Sequence, residues 1–310
     1  MMSLVASDTY VKAKSLLDAG DYSGVDLMKE AALAGNPYAQ TCYGKILVEG
    51  DHVNKDNKKA AELFRKAAEH GIDEAQYYVG MDYYLGLTSK KSYKDALKWF
   101  RLSAENGFPK GQYYLGIFYY NGYCVYKDYG FAIRWFTMAA NQGYSKARIA
   151  LADAYMDLHN PNRDIKKAAS LYISAAESGD VSAYYKAGMC YYRGKAIKLN
   201  YHQAIEYFRL GYKEGDVDCE FMLGYMYEHG QGVTQDTNIA SMMISHAAIA
   251  GSDDARAYLD DKVPVKVKHT PMPVEETVLN TPDVVGKIRG ADDGKTIFSQ
   301  LLKSIKTKVN

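Results

Sequence analysis

Gly35, Gly71, Gly107, Gly143, Gly179, Gly215 and Gly251 recur at intervals of 36 residues, and each closes a related phrase: Ala-Ala-Leu-Ala-Gly at 31–35, Ala-Ala-Glu-His-Gly at 67–71, Ser-Ala-Glu-Asn-Gly at 103–107. A unit of that length cannot bury an apolar face alone, so the period predicts a stacked array in which each copy completes its core on its neighbours. Inside the units runs a second, helical period. Ala75, Val79, Gly80 and Tyr83, then Ala96, Trp99, Phe100 and Ala104, fall at helical spacing, with Gly86 between the two runs. The expected architecture is all-α: a right-handed α/α solenoid of about six 36-residue two-helix repeats with a C-terminal tail.

Gly44, Gly80, Gly116, Gly188 and Gly224 occupy one mid-helix position in successive units, with Ala152 in the remaining one. Glycine there costs about 1 kcal/mol relative to alanine, so close approach of a neighbouring helix backbone is expected to offset it. Tyr83, Tyr119, Tyr155, Tyr191 and Tyr227 form a second column, whose size suits the gap between helices with the hydroxyls at its edge. The unit from Gly143 departs most, because Leu158 replaces the glycine that ends the other first helices; its loop is expected to differ.

The array is expected to span 1–261, opening with a degenerate capping unit at 1–34, whose first helix runs from Thr9 to Ala19, and closing with a helix at 253–261. Pro264, Pro271, Pro273 and Pro282 make 262–285 an extended linker. At 286–310 Ile297, Phe298, Leu301, Leu302, Ile305 and Val309 share one arc of a helical wheel, which predicts a basic amphipathic tail helix. From Lys262 onward nine Lys or Arg face five Asp or Glu, a net +4.

Composition narrows the function. With 38 Lys plus Arg against 37 Asp plus Glu, no strong field advertises nucleic acid. No leader pattern or bilayer-length apolar run occurs, so a cytoplasmic protein is expected. Cys42, Cys124, Cys190 and Cys219 occupy unrelated repeat positions and read as buried small residues rather than a disulfide or zinc set. Gly290 to Thr296 imitates a phosphate loop but has three residues between its glycines instead of four, and carries two aspartates. His202 and Glu206 sit one helical turn apart without a third ligand and read as a surface ion pair. No catalytic constellation, metal or cofactor is expected.

The run Ala-Gln-Tyr-Tyr-Val-Gly-Met-Asp-Tyr-Tyr-Leu-Gly at 75–86, followed by Lys-Asp-Ala-Leu-Lys-Trp-Phe-Arg-Leu-Ser-Ala-Glu-Asn-Gly at 94–107, resembles the Sel1-like repeat, a tetratricopeptide-type family. The resemblance covers roughly 31–259 and implies a non-enzymatic scaffold or adaptor that holds a partner protein or peptide in a concave groove lined by the first helices. Helical spacing then nominates Tyr78, Met81, Leu85, Tyr114, Ile117, Asn121, Lys186, Met189, Arg193, Met222 and Tyr225 as groove residues, with aromatic and apolar anchors in the second and third full units. Two other readings stand beside it. One is a protein tethered to a membrane surface or a partner through its tail, with the repeats as spacer; the other is a regulatory subunit that inhibits an enzyme.

Overall fold

The computed structural model describes residues 4–50 and 52–261; the linker expected at 262–285 and the tail at 286–310, with the Gly290–Thr296 run, lie outside the described residues. Among the described residues there are fifteen α-helices and no strand. They fall into two compact units, divided after Gln142. The first holds α1 (Leu4–Asp18), α2 (Gly24–Leu33), α3 (Pro37–Glu49), α4 (Asn57–Glu69), α5 (Asp73–Leu85), α6 (Tyr93–Glu105), α7 (Pro109–Asn121) and α8 (Tyr129–Asn141). The second holds α9 (Ser145–Met156), α10 (Ile165–Glu177), α11 (Val181–Arg193), α12 (Tyr201–Lys213), α13 (Val217–His229), α14 (Thr237–Ala250) and α15 (Asp253–Asp261). α1 begins at Leu4 rather than Thr9: the polar run Ser7-Asp8-Thr9 lies within it, with Asp8 exposed.

Repeated side chains start and stop these helices. Asp56, Ser92, Asp128, Asp164, Asn200 and Asp236 cap the six second helices, each accepting from a backbone N–H in the first turn. The backbone N–H of the same residues reaches back to the preceding helix, as from Asp128 to the Tyr119 carbonyl at 2.9 Å and from Asp236 to Tyr227 at 3.0 Å, which pins the two helices of a repeat together. Gly50, Gly86, Gly122, Gly194 and Gly230 end the first helices in left-handed conformation. α9 has no such glycine. It stops at Met156, and the turn is held by Asn160, whose side-chain amide donates to the Ala154 carbonyl at 2.7 Å, and by Asp157, which accepts from the His159 N–H at 2.8 Å.

The mid-helix glycines face rings, which corrects the expectation of a backbone contact. Phe64, Phe100, Phe136 and Phe208 are buried on the second helices. Each lies against the glycine of its own first helix, and a Cβ on Gly116 would stand 2.5 Å from Phe136 Cε1. Where glycine becomes Ala152 the ring at the corresponding position is Tyr172, and Gly224 meets Ile244. The tyrosine column is half-buried, Tyr119 stacking on Phe131 at 5.1 Å and Tyr191 on Tyr207 at 5.8 Å.

Between repeats, second helices meet the next first helix through small residues. Ala67 and Ala75, Ala175 and Ala183, and Ala247 and Ala255 are all fully buried. Two pairs keep the fit by opposite changes: Ser103 faces Gly111, and Gly211 faces Cys219. A Cβ on Gly211 would collide with the Cys219 sulfur, so Gly211→Ala is expected to cost about 1–3 kcal/mol through overpacking. Cys219→Ala in the same chain should recover most of that loss. Urea melts of both single variants and the double variant give the coupling; additive losses would show that the sulfur does not set the spacing.

Candidate partner-binding face

Second helices pack between two first helices, as α6 does between α5 and α7 and α12 between α11 and α13. First helices also touch one another directly, α5 with α7 and α11 with α13. The face they present is where the sequence places the binding residues, and it is more closed than helical spacing suggests.

In the first unit Tyr78 and Tyr114 are buried, as is Met81. Tyr78 stacks on Phe64 at 4.5 Å and Tyr114 on Phe100 at 5.0 Å, so each closes over the aromatic ring of the preceding repeat. Their hydroxyls are held well above the usual phenol range by burial. Met81 belongs to the same apolar cluster. As exposed anchors these three are therefore corrected: they are core. Leu85, Ile117 and Asn121 keep half-open side chains, and the Asn121 amide donates to the Ile117 carbonyl at 3.1 Å.

In the second unit Met222 and Tyr225 are buried and are corrected in the same way. Tyr225 stacks on His229 at 4.1 Å and meets the edge of Tyr258 at 5.8 Å. Lys186, Met189 and Arg193 on α11 remain half-open. Lys186 is nevertheless committed. Its Nζ lies 2.6 and 2.8 Å from the two carboxylate oxygens of buried Asp153. The same amino group sits 5.4 Å from the centre of the Tyr172 ring, and the Tyr172 hydroxyl donates to Asp153. Lys186 thus takes the position of Tyr114 in an ionic version of the same joint, a role that helical spacing alone does not reveal.

Chemistry finds little here. Among the described residues no group of three or more His, Cys, Asp and Glu is arranged to hold a metal ion. The cysteines are unpaired; burial pushes the Cys42 thiol up and the Cys190 thiol to about 11, far from a nucleophilic thiolate at neutral pH. Cys124 is exposed on the loop after α7 with φ 56°, against the expectation that all four are buried. Glu206 pairs with Arg209 at 3.1 Å. Among the described residues no helix is long and apolar enough to cross a membrane.

A family model described as Sel1 repeat matches residues 37–72, 73–108, 109–144, 145–180, 181–216 and 217–242. Among solved structures, a protective antigen of uropathogenic Escherichia coli strains with an SLR fold is similar at 30% identity and a TM-score of 0.68, over 77% of this chain and 52% of that one. The chain therefore spans about half the length of that relative. A Sel1 repeat protein from Oxalobacter formigenes is similar at 26% identity and a TM-score of 0.68, over 77% of this chain and 96% of that one. Comparison with curated proteins gives no match.

Proposed function

We propose that this chain, which belongs to the Sel1 repeat family, is a non-enzymatic scaffold that binds a protein or peptide partner on its first-helix face. Repeats of this family generally mediate protein–protein interaction. The observation that supports the reading here is a set of half-open side chains beside buried neighbours on that face: Leu85, Ile117 and Asn121 in one unit, Met189 and Arg193 in the other. Apolar and guanidinium groups in such positions are the types that anchor partners. The four unpaired cysteines suit a reducing compartment, and the reading places the protein in the cytoplasm.

The test is capture from native-host lysate by the full chain, followed by mass spectrometry. Met189→Asp with Arg193→Glu is expected to weaken capture of the principal partner at least tenfold, since each anchor contributes on the order of 1–2 kcal/mol. Helicity should not change and melting should fall only modestly, since Met189 packs on the edge of its unit's core, and Lys98→Glu, on the outer face of α6, should bind as the parent does. Undiminished capture by the double variant would move the site off this face. Flotation on anionic vesicles that persists in the double variant would favour tethering through residues 286–310.

A further inference from the structure

Among the described residues α15 is a first helix without its second. Tyr43, Val79, Leu115, Leu151, Ala187 and Leu223 share one repeat position, and each is no more than 8% exposed. Leu259 is the next member of that column and is 44% exposed. The difference has a simple cause: in the other repeats a second helix covers this side of the first, whereas beyond Asp261 no described residue does so. The neighbouring α14 carries no Asp, Glu, Lys or Arg, and exposes Met242 and Ile249 at positions held by Glu62 and Glu69 in α4. A terminal repeat needs a polar outer face to end an array in water; α15 supplies acids, yet among the described residues Leu259, Met242 and Ile249 stay exposed at this end.

The sequence outside the described residues holds a segment with the matching pattern. Second helices share the spacing Ala60-x-x-Leu63-Phe64-x-x-Ala67-Ala68 and Ala96-x-x-Trp99-Phe100-x-x-Ser103-Ala104. Gly294-x-x-Ile297-Phe298-x-x-Leu301-Leu302 has the same spacing, displaced 18 residues beyond where the 36-residue period puts it. The proline-rich stretch 262–285 fills the displacement. It reaches on the order of 70 Å when extended, ample to return to α15.

We propose that residues 294–302 supply the missing second helix of a seventh repeat, packing on α15 around Leu259. Charge favours the pairing. Residues 143–261 carry twelve Lys or Arg against sixteen Asp or Glu, a net −4, while 262–310 carry the +4 noted above. The Asp218 carboxyl is held above its usual value by burial, and then by Asp216, Asp254 and Asp253, so this end is crowded with acids that Lys303 and Lys306 approach on docking. Asp260 stands where five other repeats have glycine and one has Ala152, so the proposed docking sets Phe298 farther out than Phe136 is over Gly116.

Hydrogen exchange on the full chain tests this. Phe298→Asp is expected to speed amide exchange in α15 at least tenfold and leave α11 and α12 unchanged. Leu259→Asp should speed exchange across 294–302 by a similar factor, and the double variant should add little to either. A Leu259→Met chain keeps apolar volume and should behave as the parent. Unchanged exchange in α15 on Phe298→Asp would overturn the proposal. So would an effect confined to the first-helix face, or one that disappears on tenfold dilution, which would mark a second copy as the occupant.

Discussion

Phe100→Ala is expected to lower stability by about 3–5 kcal/mol, the range for deleting a buried phenyl that leaves a cavity. The ring has no exposed surface. It lies on α6 against Gly80, whose added Cβ would stand 2.6 Å from its Cδ1, stacks on Tyr114 at 5.0 Å and meets Phe118 edge-on at 5.6 Å. Three helices therefore lose a shared contact at once, and neighbours locked by their own rings cannot collapse into the space. Because each repeat contacts only its neighbours, the loss should be local. Hydrogen exchange should show α5 to α7 deprotected while α11 to α14 keep their protection. Lys98→Ala, two residues away on the exposed face, should cost under about 0.5 kcal/mol. Equal urea midpoints for the two variants would show that the ring does not hold the repeat.

Lys186→Met should also be costly, because it strands a buried carboxylate. Asp153 has 8% of its side chain exposed and Lys186 27%. Removing one partner of a fully buried pair costs about 3–5 kcal/mol, and solvent reaching Lys186 reduces this to roughly 2–4 kcal/mol. Replacing the whole joint is a different matter. Asp153→Met, Tyr172→Phe and Lys186→Tyr together install the residues of the earlier repeats, Met81, Phe100 and Tyr114. That triple variant should lie within about 1 kcal/mol of the parent, since apolar replacement of a buried ionic group is often neutral or better. Chemical denaturation of both proteins decides it. A triple variant as unstable as Lys186→Met would mean that the ionic joint stabilises in its own right.

The six repeats are legible in the amino-acid sequence itself, because glycine, alanine and aromatic columns recur at fixed positions. What the glycines face is harder to read. The signal lies in the unit where Ala152 replaces glycine and Tyr172 replaces phenylalanine, two changes 20 residues apart that belong to one contact. The open face is obscured for a physical reason. α5 is buried at every position from Ala75 to Asp82, so it has no apolar stripe to contrast with a polar one. Tyr78 and Met81 look like surplus apolar groups on a helix assumed to be half wet; the helix is enclosed on nearly all sides. Lys186 misleads in the other direction, since a lysine on a nominated groove reads as a contact for a partner while its amino group is already held by Asp153.

The Ser103–Gly111 and Gly211–Cys219 pairs bear on which pieces of such a protein can be exchanged. A graft cut at the closing glycines, where the sequence displays its repeats, separates Ser103 from Gly111 and sets a hydroxymethyl group against a methyl, or leaves glycine facing alanine across a gap. A cut in the loop between the two helices of a repeat keeps each such pair whole. It divides the contacts within a repeat, among them the glycine–phenylalanine contact, which is the same in four of the repeats and so finds an equivalent partner on transfer among those four. The transferable module is offset from the visible one by a single helix: a second helix together with the first helix that follows it.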